Sequence, residues 1–182
     1  FHLAAQPGVR DSWAQRFDDY IDANIRATQR LCEAARGKPL KRFVYASSSS
    51  VYGDTTELPM NEGHRTRPHS PYGVTKLAGE ALCLLYKKNH GLPVVALRFF
   101  TVYGPRQRPD MAFHIFMKAA LDGGDVCLFG DGLQTRDFTY VDDIVDGLMA
   151  AMQPSARGIY NLGGGSRVSM KTALDHLTDT TG

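Results

Sequence analysis

The sequence is poor in the features that mark secreted, membrane-spanning and nucleic-acid-binding proteins. Its 182 residues include three cysteines, Cys32, Cys83 and Cys127, which lie far apart in apolar segments. An odd, scattered set argues against a disulfide framework and indicates reduced thiols in a cytoplasmic protein. No apolar stretch approaches the roughly 20 residues that a membrane helix needs, so we expect no membrane segment.

Charge and histidine content exclude two further classes. The net charge is +2, and no run of five or more like charges occurs, so the sequence gives no reason to expect nucleic-acid binding. The six histidines are scattered, without the HxxxH or HxH spacing that would put two imidazoles on one metal ion. We therefore expect no metal site.

Segments typical of strands alternate with segments typical of helices. The predicted strands are Lys41–Ser47, Pro93–Phe100, Val126–Phe129, Thr135–Tyr140 and Ile159–Leu162. The predicted helices are Ser12–Ala35, Ser70–His90, Met111–Leu121, Val141–Met152 and a last one that begins at Ser169. This alternation predicts an α/β fold with a doubly wound parallel sheet. Ligands of such sheets bind beyond the carboxyl ends of the strands.

Four serines, Ser47 to Ser50, end the first of these strands in the stretch YASSSSVYG. Serine hydroxyls favour turns because they compete for main-chain groups, so the four residues are compatible with a simple loop. Their position at the carboxyl end of a strand is equally compatible with hydroxyls that face a ligand.

A tyrosine and a lysine, Tyr72 and Lys76, stand four residues apart in SPYGVTK at the start of a predicted helix. Residues with this spacing share one helix face. A tyrosine is a poor base at neutral pH, but a neighbouring ammonium favours the phenolate. The pair is therefore a candidate proton-transfer site, although the same spacing is frequent on ordinary helices.

These motifs together resemble the extended short-chain dehydrogenase/reductases, in particular the NAD-dependent nucleotide-sugar epimerases and dehydratases. The matching stretches are, in chain order, HLAAQ, YASSSSVYG, SPYGVTK, LRFFTVYGP, TRDFTYVDDI and YNLGGG. The family begins with a glycine-rich GxxGxxG turn that this sequence lacks, so we expect a fragment of a longer enzyme. The resemblance implies that residues 1–107 are the C-terminal part of a Rossmann-like NAD-binding domain, which residues 141–165 rejoin. Residues 108–140 and 166–182 are then parts of a smaller substrate-binding domain.

The resemblance also implies roles for individual residues. Tyr72 is the acid/base on the sugar 4-hydroxyl, and Lys76 holds the nicotinamide ribose and lowers the pKa of Tyr72. Ser48 bonds the same sugar oxygen and helps to move the proton. The cofactor NAD is lined by Tyr72, Lys76, Ser47, Phe99 and the main chain of Ala4 and Ala5.

Two serines next to Ser48 bear on the reaction. Ser49 and Ser50 occupy the positions that carry an Asp-Glu pair in the family's 4,6-dehydratases, and decarboxylating relatives keep a Glu at the second position. Serine is a poor general acid or base, so dehydration and decarboxylation are disfavoured, and both serines are expected to contact substrate. What remains is 4-epimerisation: oxidation at C4, rotation of the sugar and return of the hydride to the opposite face.

The stretch FFTVYGPRQRPDM, residues 99–111, indicates the substrate. It resembles UDP-glucuronate 4-epimerases more than UDP-galactose enzymes, which have Asn in place of Thr101. Arg98, Arg106 and Arg108 lie within reach of the predicted cleft, and an arginine fork suits carboxylates and phosphates. We expect Thr101 and Arg108 to hold a C6 carboxylate and Arg136 to bind the nucleotide diphosphate.

Several alternatives remain open. A UDP-glucose/galactose 4-epimerase, or another dehydratase or decarboxylase of the family, uses the same scaffold. A non-catalytic dinucleotide-binding regulator often lacks the Tyr or the Lys, and both are present here. A serine hydrolase acting through Ser48 lacks the GxSxG elbow. Relatives also imply a homodimer formed through helices 12–36 and 72–90.

Overall fold

The computed structural model describes residues 1–126, 128 and 130–181. Their contacts divide the chain into two compact units. The first comprises Phe1–Phe99 and Asp146–Leu162, and the second comprises Phe100–Val145 and Gly163–Gly182.

A parallel sheet forms the centre of the first unit. Its strands, in spatial order, are β1 (Phe43–Ser48), β2 (Val94–Phe99) and β5 (Gly158–Leu162). His2 extends the sheet by pairing in parallel with Tyr45 of β1. Valines and other apolar residues fill β1 and β2 almost without alternation, as expected for strands that are covered on both faces. The strands run in one direction, so their carboxyl ends share one edge.

Helix α3 (Pro71–His90) carries the predicted Tyr-Lys pair and begins and ends as the sequence predicts. The Ser70 hydroxyl accepts a hydrogen bond from the Gly73 N–H at 3.1 Å, and Pro71 occupies the first helical position. Both features favour a helix start. Gly91 ends the helix in a left-handed conformation with φ of 68°, which glycine adopts without strain.

The preceding helical segment differs from the prediction in its first turns. Instead of a helix from Ser12, two short 3₁₀ turns lead to α1 (Phe17–Tyr20), a π-helical stretch (Ile21–Arg26) and α2 (Ala27–Ala35). Ala14, the first residue of the second 3₁₀ turn, has φ of 56°, a left-handed value that does not continue a right-handed helix from Ser12. The apolar spacing indicated a helix here but carried no information on this local geometry.

The core of the first unit lies where α2 and α3 pack on the sheet. It contains Cys32 of α2, Tyr45 of β1, Cys83 of α3 and several apolar neighbours, among them Leu92, Val94 and Ala96. Both thiols are fully buried and free, with their Sγ atoms 3.7 Å apart. Cys127 lies outside the described residues.

The second unit contains a small sheet and two helices. Strand β4 (Thr135–Tyr140) pairs in parallel with β3 (Thr101–Tyr103) and antiparallel with β6 (Arg167–Ser169), a strand that we did not predict. Four aromatic rings, of Tyr103, Phe113, Phe138 and Tyr140, pack against one another beside it. Helices α4 (Ala112–Asp122) and α6 (Met170–Thr181) complete the unit.

One helix remains, and one predicted strand is not formed at its described residues. Helix α5 (Val141–Ala150) leads from the second unit back to the first. The strand expected at Val126–Phe129 falls partly outside the described residues, and Val126 and Leu128 are not in a strand. Within the described part of the chain, no helix combines the length and apolarity needed to cross a bilayer.

Candidate active site

The carboxyl ends of the three parallel strands bring predicted site residues into one row. Ser48 of β1 is opposite Phe99 of β2, which is opposite Leu162 of β5. Ser48 is buried, and its hydroxyl accepts a hydrogen bond from the Ser50 N–H at 3.2 Å. This bond caps the 3₁₀ turn Ser49–Val51 and fixes the position of the Ser48 oxygen. No acceptor for the Ser48 hydroxyl proton lies within hydrogen-bond distance in the described part of the protein.

The serine turn lies directly against the first turn of α3. A Cβ atom placed on Gly73 would approach the Ser50 carbonyl oxygen to 2.6 Å. Only glycine at position 73 therefore permits this contact without a shift. The close approach brings the segment Ser48–Ser50 next to the helix turn that carries Tyr72, as the prediction of a shared site requires.

Hydrogen bonds on the far side of Tyr72 fix its main chain. The Thr75 hydroxyl donates to the Tyr72 carbonyl at 2.8 Å and accepts from the Asn24 amide at 3.0 Å. Asn24 lies in the π-helical stretch and is buried. The Tyr72 ring packs edge-on against the ring of Tyr20, with centroids 6.3 Å apart. The first turn of α3 is thus held from two sides.

Lys76 places an ammonium group at the end of a buried side chain. Its side chain is 4% exposed, and Nζ lies 5.0 Å from the centroid of the Tyr45 ring. Among the described residues, no oxygen accepts a hydrogen bond from this Nζ. Burial lowers the pKa of Lys76 to about 8, and it also raises the pKa of the underlying Tyr45. Nζ is not among the described buried atoms that lack a hydrogen-bond partner, so it keeps contact with solvent, and its N–H groups are accessible to a ligand.

The main chain after His2 is a second group of unused donors and acceptors. Ala4 and Ala5 follow the residue that pairs with β1, and Asn24 holds the next residue by two hydrogen bonds to the Gln6 main chain, of 2.7 and 3.0 Å. The N–H and C=O groups of both alanines make no hydrogen bond to the described residues. They lie at the carboxyl edge of the sheet, where the resemblance expects NAD.

Below the strand ends runs a row of polar residues, two of them buried, whose contacts the sequence did not reveal. Ser47, Arg98 and Asn161 are neighbours across the three strands. The Arg98 guanidinium makes a two-point ion pair with Glu80 of α3, with N–O distances of 2.6 and 3.0 Å. The Ser47 hydroxyl donates to the same carboxylate at 2.6 Å. Arg98 is therefore an internal partner of Glu80, and not one of the arginines that reach toward a cleft.

The other end of this row connects the sheet to the loop that follows the serine turn. The Tyr52 hydroxyl accepts from Arg98 at 2.7 Å and donates to the Asn161 side chain at 2.7 Å. Asn161 in turn donates to the Met60 carbonyl at 3.1 Å. A continuous chain of hydrogen bonds therefore stabilises the carboxyl edge of the sheet from within.

In the second unit, the register places two predicted substrate residues on one face of the small sheet. Thr101 of β3 is opposite Phe138 of β4, and Arg136 precedes Phe138 by two residues, so their side chains point to the same face. Arg108, in the loop before α4, is half-exposed and pairs with Asp110 at 3.0 Å. Its Nε atom is buried without a hydrogen-bond partner among the described residues.

A parallel α/β sheet with a serine turn and a Tyr-Lys helix at its carboxyl edge defines the class of the extended short-chain dehydrogenase/reductases. The model of the NAD dependent epimerase/dehydratase family matches residues 1–163. This chain belongs to that family.

Individual relatives are similar over nearly the whole chain. An uncharacterized UDP-glucose epimerase, YtcB of Bacillus subtilis, is 50% identical over 100% of this chain and 58% of its own length. The UDP-glucuronic acid 4-epimerase of Bacillus cereus, solved with UDP-glucuronic acid and NAD, superposes with a TM-score of 0.94 at 47% identity, over 98% of this chain and 58% of that one. These matches confirm the Rossmann-like α/β fold.

A further structural relative is MoeE5. Its complex with UDP-glucuronic acid and NAD superposes with a TM-score of 0.93 at 49% identity, over 100% of this chain and 61% of that one. MoeE5 has also been solved with UDP-glucose and NAD. The chain thus spans less than two thirds of the length of each of these relatives.

Proposed function

We propose that the protein is an NAD-dependent UDP-sugar 4-epimerase whose substrate is UDP-glucuronate. The observation that carries this proposal is the Lys76 side chain, which is buried one helical turn from Tyr72 and whose ammonium has no acceptor among the described residues. An arrangement of this kind suits a ligand that brings hydroxyl groups. The similarity to the Bacillus cereus epimerase supports the same conclusion.

The residues present fit the nicotinamide end of NAD. Lys76 donates to the ribose hydroxyls, and the free main-chain groups of Ala4 and Ala5 line the same edge together with Phe99. Ser47 adds little through its hydroxyl proton, because Glu80 accepts it. When bound, NAD supplies the hydride acceptor and donor for the sugar C4.

The proton at the sugar 4-hydroxyl is moved by Tyr72 and Ser48. Tyr72 accepts it when C4 is oxidised and returns it when C4 is reduced, as general acid–base catalysis requires. Ser48 accepts a hydrogen bond from the Ser50 N–H, so its own proton remains available for the sugar oxygen. The nearby charge of Lys76 favours a tyrosine that can act as a base near neutral pH.

Epimerisation is favoured over elimination by the groups next to Ser48. Ser49 and Ser50 form a short 3₁₀ turn and offer hydroxyls where an eliminating enzyme needs a carboxylic acid and a carboxylate. Hydroxyls bind a sugar or a C6 carboxylate, but they do not exchange protons readily at neutral pH. We assign both serines to substrate binding.

The choice of the uronate rests on the second unit. Arg108 has a guanidinium nitrogen with no partner among the described residues, and a planar fork is suited to a carboxylate. We assign Thr101 and Arg108 to the C6 carboxylate and Arg136 to the diphosphate. Two structural relatives, the Bacillus cereus enzyme and MoeE5, have been solved with UDP-glucuronic acid.

The proposal extends to assembly, domain roles and location. Segments 12–36 and 72–90 expose four large apolar side chains, of Trp13, Leu31, Val74 and Leu85, which supports a homodimer formed through them. Residues 1–107 and 141–165 serve NAD, and residues 108–140 and 166–182 serve the sugar nucleotide. Two buried free thiols suit a reducing cytoplasm.

The test is an assay of the purified full-length protein with NAD and UDP-glucuronate. We expect UDP-galacturonate to accumulate to an equilibrium mixture, without net formation of NADH, as measured by chromatography and NMR. If the sugar loses water or carbon dioxide instead, the enzyme is a dehydratase or a decarboxylase, and the proposed 4-epimerase activity is wrong. Turnover of UDP-glucose with none of UDP-glucuronate would favour the activity named for YtcB.

A further inference from the structure

One face of α3 carries a tyrosine, a lysine and a glutamate, and the lysine and the glutamate do not form an ion pair with each other. Tyr72, Lys76 and Glu80 follow one another at intervals of four residues, so they lie one above the other. Lys76 and Glu80 are both buried, with 4% and 2% exposure. A lysine and a glutamate at this spacing ordinarily attract each other. In the described part of the chain, however, Glu80 is paired with Arg98 and not with Lys76.

Three donors from other residues bind the carboxylate of Glu80 and contact both of its oxygens. Arg98 Nη2 reaches Oε1 at 2.6 Å, and Arg98 Nε and the Ser47 hydroxyl reach Oε2 at 3.0 and 2.6 Å. Such a two-point arginine–carboxylate pair is the geometry in which an ion pair is strongest. Glu80 therefore presents little attraction to the ammonium one turn away.

The position of Arg98 does not depend on Glu80 alone. Arg98 lies in β2 between Ser47 and Asn161, and its Nη1 donates to the Tyr52 hydroxyl at 2.7 Å. The guanidinium also lies 4.7 Å from the centroid of the Tyr52 ring. The sheet and the serine turn thus hold the cation that neutralises Glu80.

We propose that Arg98 is a positioning residue for the Tyr72–Lys76 pair, which acts by neutralising Glu80 so that the Lys76 ammonium stays available to Tyr72 and to a bound ligand. The effect on ligand binding rests on the proposed function, because an ammonium that forms an ion pair with Glu80 no longer binds the nicotinamide ribose. The charge arrangement is testable without any ligand.

The groups that face Lys76 determine what a change at Arg98 does. They are Tyr45 of β1, Cys83 of α3 with its partner Cys32, and His2, which pairs with Tyr45; Tyr72 and Glu80 lie one helical turn away on α3. Burial lowers the pKa of Lys76 to about 8. An unpaired carboxylate at Glu80 would favour the ammonium and raise this pKa, whereas an unpaired guanidinium at Arg98 would lower it.

The experiment measures the Lys76 titration in the full-length protein without ligand, by NMR of labelled lysine side chains. The Lys76 signal is assigned by its loss in Lys76→Met, and exposed Lys41 is the internal control. We expect Arg98→Met to raise the Lys76 midpoint by about one to three pH units. Glu80→Gln should lower it, and the double variant Glu80→Gln/Arg98→Met should return it close to the midpoint of the unmodified protein.

The Lys76 midpoints of the three variants distinguish neutralisation of Glu80 by Arg98 from a purely structural role of Arg98. If Arg98 served only to stabilise the sheet edge, the double variant would resemble Arg98→Met, and neither shift would have the stated sign. That result overturns the proposal. If Arg98→Met does not fold, Glu80→Gln carries the test, and an unmoved midpoint in that variant is equally contradictory.

A second measurement links the charge arrangement to function. At neutral pH, NAD affinity should fall about tenfold in Arg98→Met, the scale of one charge-assisted hydrogen bond, and recover in the double variant. Failure of the unmodified protein to bind NAD would remove the proposed function but leave the titration result standing. If the unmodified protein binds NAD but the Lys76 midpoint does not shift as stated in the three variants, only the proposed role of Arg98 is excluded.

Discussion

The Lys76 ammonium lies 5.0 Å from the centroid of the Tyr45 ring, and the Tyr45 hydroxyl donates to the Lys76 carbonyl at 3.3 Å. The two residues therefore hold each other between β1 and α3. A cation over an aromatic face gains part of the stabilisation that it loses on leaving water. The ring contact does not engage the N–H groups of Lys76 in hydrogen bonds to oxygen atoms. The ammonium can therefore still donate these hydrogen bonds to a ligand.

Replacing Tyr72 by Phe removes the hydroxyl that we propose transfers the proton and leaves the ring that packs on Tyr20. We expect kcat to fall by at least about 100-fold, the scale of general acid–base catalysis, while UDP-sugar affinity changes little. Steady-state kinetics and calorimetric binding measure the two quantities. Tyr160→Phe, which alters a tyrosine at the surface, is the matched control, and near-normal turnover in Tyr72→Phe would remove the catalytic assignment.

Replacing Lys76 by Met should stabilise the protein at neutral pH. Burial lowers the pKa of Lys76 from 10.5 to about 8, so between these values the unfolded chain binds more protons and stability rises with pH. Below about pH 8 the full cost of the buried ammonium is present, at most about 3 kcal/mol by the usual conversion. The variant should therefore unfold at higher denaturant concentration at pH 7, and this advantage should disappear as pH approaches 10.5.

The same substitution should weaken NAD binding, which separates stability from function. Lys88→Met, at an exposed position of the same helix, is the control and should change neither property. Equal stability of Lys76→Met and the unmodified protein at pH 7 would mean that the ammonium is well solvated or well paired.

The outline of the fold follows from periodicity, whereas the candidate site was chosen from motif spacing and family resemblance, and the roles of its residues stay predictions. Proline and serine predict the start of α3, and apolar runs predict β1 and β2, because these signals are local. The Glu80–Arg98 pair was not predicted, since its members are 18 residues apart and meet only through sheet register. The sequence does show a glutamate four residues after Lys76. Its spacing alone does not tell whether Glu80 forms an ion pair with Lys76 or with an arginine in β2.

Replacing Gly73 by Ala tests whether the serine turn must contact α3. The added Cβ would lie 2.6 Å from the Ser50 carbonyl oxygen and 3.0 Å from Pro68 Cβ, so the turn and helix must separate. We expect a loss of about 1–3 kcal/mol in the free energy of unfolding, as for other overpacked sites, and a lower kcat. Gly124→Ala, where the nearest atom is 3.8 Å from the new Cβ, is the control; a Gly73→Ala variant with normal kcat and stability would contradict the close packing.

Replacing Leu85 by Asp tests the proposed dimer. Leu85 is 52% exposed on α3, so in a monomer the change should affect stability by no more than about 0.5 kcal/mol. In a dimer formed through this helix, it buries a charge without a partner and should shift the protein toward monomers, as measured by sedimentation velocity. Leu121→Asp, on α4 outside the proposed interface, should leave the association unchanged, and an unchanged association in both variants would exclude this interface.

Replacing Arg108 by Ala tests substrate choice. Arg108 retains one buried guanidinium nitrogen without a partner among the described residues, and its only ion pair is with the exposed Asp110. If it holds the C6 carboxylate, its removal costs about 2–5 kcal/mol, the usual penalty for leaving one member of a bound charge pair alone. kcat/KM for UDP-glucuronate should then fall at least about 30-fold, with little change for UDP-glucose. Arg136→Ala, which removes the arginine assigned to the diphosphate, is the matched comparison and should weaken both sugars alike. An arginine that meets the diphosphate instead serves both sugars alike, because both nucleotides carry it. Equal losses for UDP-glucuronate and UDP-glucose in Arg108→Ala would therefore remove the uronate assignment and leave a UDP-sugar 4-epimerase that recognises the carboxylate elsewhere or not at all.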